Sequence, residues 1–309
     1  MTNNELINGF IFSLNVGKSH NTISSYENDL HLLLKFLLGK KKDLLQCTSA
    51  DLTEYLSEYF VKGKYNFIKI AEATTVRRKI SCFRAFFNTM YERKLITQSP
   101  IEDVEVPKKS IHLPFYLNEE ETKVLFDYTN SLNTKDGIRI NTILHILYSS
   151  GLRISEAITI KVSDILDSNH CVKKKVIILG KGNKERMIFF DKPTQKSVER
   201  YLSIRSYFSQ STKNLYLFCS KSKTGYIARE SVFVRLQKIS HIANLPERLS
   251  PHKLRHSFAT HLYQKGIDLR MLQVLLGHSD ISTTEIYTHI KADDIQNTIE
   301  KFHPMFAKK

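Results

Sequence analysis

The forty-residue stretch SPHKLRHSFATHLYQKGIDLRMLQVLLGHSDISTTEIYTH, from Ser250 to His289, concentrates side chains able to handle a phosphate ester. His252 and Arg255 stand three apart, so on a helix they share a face, and His278 and Tyr287 follow. An arginine presents a planar fork of donors matched to two phosphate oxygens. An imidazole moves protons near neutral pH, and a deprotonated phenol is a nucleophile. The combination points to chemistry on a phosphodiester, with a tyrosine attacking phosphorus. Tyr287 alone carries little weight, since a helical tyrosine is ordinarily a core or surface residue. A metal reading competes, because His252 and His256 are four apart and His261 is close in sequence. It is the weaker one: the glutamate of HExxH is absent, Leu254 and Arg255 lie between the two histidines, and an arginine opposes a bound cation.

Three helices must position these groups. Ser250 is an N-cap followed by Pro251 at the first helical position, and the pattern runs to about Lys265 before Gly266. Leu254, Phe258 and Leu262 form its apolar face. His252 falls in the first turn, where unpaired N–H groups and the helix dipole favour an anion. Asp268 caps a second helix with Leu269, Leu272, Leu275 and Leu276 directed inward, and Gly277 ends it, leaving His278 in a turn. Ser282-Thr283-Thr284-Glu285 has the form of a capping box, so a third helix begins there with Tyr287 in its first two turns.

The remainder divides into two domains. Residues 1–103 read as all-helical. Tyr26, Leu30, Leu33, Leu34, Leu37 and Leu38 recur at helical spacing, Thr48-Ser49-Ala50-Asp51 opens a helix with Leu52, Tyr55 and Leu56 inward, and Thr74-Thr75 precedes a third. That third helix carries Ile80, Phe83, Phe86, Phe87 and Met90 on one face and Arg77, Arg78 and Arg84 on the other. A basic exposed face of this kind suits a DNA backbone, and equally describes a solvated surface. Residues 104–113, with Lys108 and Lys109 among prolines, read as a linker able to touch phosphates. Residues 114–309 mix helices with a small sheet. A helix starts at Leu117-Asn118-Glu119-Glu120-Glu121, another runs from Ile138 to Ser150 and stops at Gly151, and 176–179 and 187–190 are strands joined by Gly180-Lys181-Gly182-Asn183-Lys184. The expected fold class is therefore mainly α, with a β-hairpin in the C-terminal domain.

The chain carries 46 Lys+Arg against 31 Asp+Glu, a net charge of +15 over 309 residues. Such an excess favours a polyanionic partner, nucleic acid first. No apolar run approaches the ~20 residues of a membrane span, and MTNNELINGF lacks the form of a signal peptide. Cys47, Cys82, Cys171 and Cys219 have no paired spacing, which argues against a disulfide framework or a cysteine zinc site and suits a reduced cytosolic protein.

HKLRHSFATHL, LLGHSDISTTEIYTH and the earlier YSSGLRISEA resemble the boxes of the tyrosine recombinase (phage integrase) family, and the layout of nearly the whole chain resembles its bacterial Xer members. The resemblance implies a two-domain protein that clamps double-stranded DNA. It implies a catalytic set of Arg153, Lys181, His252, Arg255, His278 and the nucleophile Tyr287, all present here. Lys184 in the same turn remains the alternative to Lys181, and Glu156 is read as structural. Ser150 departs from the more usual threonine. The implied activity is site-specific cutting and rejoining through a 3′-phosphotyrosine, without metal, cofactor or ATP, in resolution of chromosome or plasmid dimers at cell division. The implied assembly is a homo- or hetero-tetramer on synapsed DNA, with a second Xer-type recombinase and a DNA translocase as partners by analogy. The segment from Ala292 to Phe302, followed by His303-Pro304, is expected to dock either on a neighbouring protomer or on its own domain. A mobile-element integrase and a non-catalytic DNA-binding protein on the same scaffold are the alternatives.

Overall fold

The computed structural model describes residues 1–14, 17–61, 73–106, 115–180, 185–209, 213–245, 249–277 and 302–304. The chain divides into two compact units, Met1–His112 and Leu113–Lys309. Among the described residues no helix is long and apolar enough to cross a membrane.

The N-terminal unit is built from α1 (Asn3–Leu14), α2 (His20–Gly39), α3 (Ser49–Val61) and α4 (Ala73–Glu92). Ser19 caps α2 by accepting from Thr22 N. The apolar stripes meet in one core of leucines and aromatics, where Phe86 packs edge-on against both Phe10 and Phe87. Leu30, Leu33 and Leu37 are sealed in this core, whereas Leu38 is 57% exposed. Leu34 and Leu37 already complete the i, i+3, i+4 stripe of α2, and Leu38 lies a further 100° around the helix. Lys79, next to Arg77 and Arg78 in sequence, does not share their exposed face. It is buried and its Nζ donates to Asp29 Oδ1 at 2.8 Å. Arg78, on the rim, donates to both oxygens of the same carboxylate.

The C-terminal unit comprises α5 (Glu119–Asn130), α6 (Lys135–Ser150), α7 (Ile154–Ile158), α8 (Val162–Ile165), β1 (Lys175–Leu179), β2 (Glu185–Phe189), α9 (Lys192–Leu202), α10 (Arg229–Ile242), α11 (Pro251–Gln264) and α12 (Leu269–Leu276). Asn118 and Glu121 form a capping box at the start of α5, each side chain accepting the other's backbone N–H at 2.8 Å. The central element is α6, buried from Gly137 to Ser150 and packed by α5, α9 and α11. β1 and β2 pair antiparallel, Val176 opposite Ile188 and Ile178 opposite Arg186. The small sheet in an otherwise helical unit agrees with the expected fold class. Phe302 packs on this unit's core, and His303 is fully buried there with its Nε2 donating to the Tyr148 carbonyl at 3.1 Å. The preceding residues 292–301, expected to form the terminal helix, lie outside the described residues.

Candidate active site

Two left-handed glycines shape the site. Gly151 ends α6 at φ 61°, and a Cβ there would lie 2.5 Å from the Phe258 ring, so no larger residue fits without moving the core. The reversal launches Arg153 at the head of α7, and the Gly151 carbonyl accepts from Arg255 Nη1 at 2.5 Å. Gly277 ends α12 in the same conformation, φ 61°, and its carbonyl accepts from Arg153 Nη2 at 3.4 Å. One residue earlier, the Leu276 carbonyl accepts from Arg255 Nη2 at 2.6 Å and from Arg186 Nη1 at 2.7 Å. Three guanidiniums therefore converge on the last carbonyls of one helix, which lack intrahelical donors and carry the negative end of the helix dipole.

Glu156 is the counter-charge. Its Oε2 accepts from the Arg153 backbone N at 2.8 Å and from Arg186 Nη2 at 2.6 Å, while Oε1 accepts from Arg153 Nη1 at 3.1 Å. The helix-start acid of α7 thus caps its own helix and braces two arginines. The arginines differ in access: the side chain of Arg153 is 33% exposed and that of Arg186 only 8%, while Arg255 is buried. Burial, then the neighbouring Arg153 and Arg186, push Arg255 down to about 10, with Glu156 opposing. It stays charged at neutral pH, held as a cation among cations.

α11 begins as expected, with Ser250 Oγ accepting from Lys253 N and Pro251 following. His252 is exposed in its first turn while Arg255, one turn on, is buried, so the two are near in the helix but differ in environment. His261, the outer member of the competing metal reading, is buried with its Nδ1 2.7 Å from the Tyr148 hydroxyl. Among the described residues no group of three His, Cys, Asp or Glu is arranged to hold a metal ion. Lys181, Lys184, His278 and Tyr287 lie outside the described residues, as do Lys108 and Lys109. In sequence, β1 precedes and β2 follows the segment that holds Lys181 and Lys184, and Gly277 directly precedes His278.

A model of the phage integrase family matches residues 116–293, and a model of the N-terminal SAM-like domain of phage integrases matches residues 7–94. A tyrosine recombinase XerD of Rickettsia prowazekii is 36% identical over 294 residues, covering 93% of this chain and 92% of that protein. A tyrosine recombinase XerC of Staphylococcus carnosus is 35% identical over 308 residues, 99% of each chain. The chain belongs to the phage integrase family of tyrosine recombinases. It is a tyrosine-type site-specific DNA recombinase. Among solved structures, the XerH recombinase bound to palindromic difH superposes with TM-score 0.67 at 24% identity, covering 89% of this chain and 78% of that one. The Tn1549 transposon integrase with circular intermediate DNA gives TM-score 0.66 at 20% identity, covering 96% and 98%. At these identities the likeness is one of fold.

In this recombinase the structure brings together two of the six catalytic residues expected from the sequence, Arg153 and Arg255, with His252 on the same helix as the latter. Arg186 was missed, although a signal existed. Register places it opposite Ile178, on the face shared by Val176 and Ile188, all three of which are buried. A charged residue at an inward position of a strand requires a buried partner, and here that partner is Glu156.

Proposed function

We propose that Arg153 and Arg255 clamp the non-bridging oxygens of a scissile phosphate while Tyr287 attacks phosphorus. The observation that carries this reading is the convergence of both guanidiniums on the Leu276–Gly277 peptide segment, one residue before His278. The clamp and the chain that leads to the nucleophile are thereby tied at one point. His252 takes the phenolic proton of Tyr287, the Tyr287 oxygen bonds to phosphorus, and the bond to the 5′-oxygen breaks as Lys181 protonates it. His278 hydrogen-bonds a phosphate oxygen. The developing charge on the non-bridging oxygens is met by the two arginines, so no metal is needed, and the 3′-phosphotyrosine retains the ester bond for rejoining without ATP. Double-stranded DNA is the substrate, gripped also by Arg77, Arg78 and Arg84 of α4 and by Lys108 and Lys109. Four protomers act on two synapsed duplexes, with a second Xer-type recombinase and a translocase as partners, in the cytoplasm. Similarity to XerD and XerC proteins along nearly the whole chain supports a role in resolving chromosome or plasmid dimers over that of a mobile-element integrase.

Tyr287→Phe tests this directly. On a nicked suicide duplex carrying the recombination site, the variant binds DNA like the parent chain and forms no covalent adduct on a denaturing gel. An adduct that persists in the variant overturns the assignment.

A further inference from the structure

We infer that Arg186 is a positioning residue of this site: it braces Glu156 against Arg153 and ties the β2 strand to the end of α12. The inference rests on the proposed role of Arg153. Several observations carry it. The Arg186 side chain is only 8% exposed, and its two terminal nitrogens are engaged inside the protein, Nη2 on Glu156 Oε2 at 2.6 Å and Nη1 on the Leu276 carbonyl at 2.7 Å. It is not presented to a phosphate as Arg153 is. Its two acceptors are the groups that also fix the clamp: Glu156 holds Arg153, and Leu276 O holds Arg255. Arg186 is thus the one side chain among the described residues that bonds to a partner of each clamp arginine.

Gly277 supplies an independent line. A Cβ at that position would lie 2.3 Å from Arg186 Nη1 and 3.1 Å from its Cδ. The glycine does more than end α12: it leaves the room through which Arg186 passes to reach Leu276 O. The strand that carries Arg186 follows Lys181 by a few residues in sequence, so one guanidinium links the strand after the proposed acid, the helix before His278, and the carboxylate under Arg153.

Removing Arg186 leaves each clamp arginine bonded but less fixed, and a misplacement of ~1 Å costs about 100-fold in rate. The test compares Arg186→Met, Arg186→Lys, Arg153→Lys and the parent chain in single-turnover adduct formation on a nicked suicide duplex. It is run with an ordinary scissile phosphate and again with a methylphosphonate, which lacks one of the anionic oxygens that the arginines stabilise. On the phosphate, Arg186→Met slows adduct formation about 100-fold while its DNA affinity stays within about 2-fold of the parent. Arg186→Lys, which reaches Glu156 but cannot also bridge to Leu276, recovers part of the loss. On the methylphosphonate the gap between Arg186→Met and the parent shrinks, because the defect lies in aiming arginines at charge. A defect of equal size on both substrates marks a general loss of structure and overturns the inference, as does an unchanged rate on phosphate. If Arg153→Lys itself cleaves normally, it is the clamp reading that falls. A defective Arg153→Lys beside a normal Arg186→Met removes the positioning role alone.

Discussion

The two units both bury a carboxylate under basic side chains, and they balance the charge differently. In the N-terminal unit Asp29 faces Arg78 and Lys79, and the excess of one positive charge sits on Arg78, whose side chain is 42% exposed. Water screens that excess. In the C-terminal unit Glu156 is ringed by Arg153, Arg186 and Arg255, an excess of two, and two of those three arginines are buried. Main-chain carbonyls at the end of α12 and after α6 take several of the other donors. A carbonyl satisfies a hydrogen bond but does not cancel a charge. The first cluster is thus nearly closed electrostatically, while the three arginines of the second outnumber Glu156 by two, with Arg153 as the most accessible of them.

The largest expected effect comes from neutralising the two carboxylates. Asp29→Asn and Glu156→Gln each remove a carboxylate that balances buried cations, a loss of about 3–5 kcal/mol. The comparison is sharpened by adding the compensating change. Lys79→Met in the Asp29→Asn background recovers most of the stability, because Arg78 can turn to water. Arg186→Met in the Glu156→Gln background recovers much less, because Arg153 and Arg255 still repel. Thermal and urea unfolding of the full chain measure this, and equal recovery in both units would break the distinction between a closed and an open cluster.

The same contrast separates what could be read from the sequence and what could not. Helix limits set by local chemistry were legible: Ser250 with Pro251, Asn118 with Glu121, and Gly151 and Gly277 in left-handed conformation all lie where the residue types demand. Arg255 was legible from its spacing to His252, but Arg153 was reached only through the resemblance of its motif to a family, since 102 positions separate the two arginines in the chain. What brings them together is a pair of carbonyls, and a backbone oxygen has no signature in a sequence. Asp29 and Lys79 illustrate the opposite failure. Lys79 sits in a basic run that looks solvated, but it lies one position before Ile80 in the buried stripe of α4, and only the facing Asp29 of α2 makes its burial tolerable. Long-range pairs of this kind are fixed by tertiary contact alone. Lys181, His278 and Tyr287 were likewise reached through the order and spacing of the family's motifs.

A middle-sized effect distinguishes the units by acid. In the C-terminal unit burial lowers His145 to about 4, and burial, partly offset by the Tyr148 carbonyl, lowers His303 to about 3. Both are neutral when folded and bind protons near 6.5 when unfolded. Their stabilisation is therefore fully present above about pH 6.5 and is lost as pH falls toward 4. Asp191, raised by burial to about 6, has the opposite sign: it weakens the fold as pH rises from about 4 to 6 and offsets part of the loss. In the N-terminal unit the corresponding group is Asp51. Burial raises it, but hydrogen bonds from Lys42 and Thr48 prevail and hold it well below the usual carboxylate range. Its contribution survives until pH drops below about 4. Acid titration followed by hydrogen exchange should open the C-terminal unit first, and His303→Gln should narrow the gap between the units. Simultaneous opening would show that the buried histidines do not set the order.

The smallest effect is expected at two leucines that the apolar pattern places inside and the structure places outside, one in each unit: Leu38 at 57% exposure and Leu269 at 55%. Each has a buried counterpart on the same helix, Leu37 and Leu272. Truncating a sealed leucine removes its transfer free energy and leaves a cavity, so Leu37→Ala and Leu272→Ala should cost about 2–5 kcal/mol. Leu38→Gln and Leu269→Gln remove little buried surface and create no void, so each should fall within about 0.5 kcal/mol of the parent. Leu269 is the sharper case, because it opens α12, whose far end holds Leu276 O and Gly277 O against the arginines. If Leu269→Gln costs as much as Leu272→Ala, α12 must be anchored along its whole length. If it costs nothing while Leu272→Ala also slows adduct formation, the helix is held by its inner face and by the arginine grip at its C-terminus.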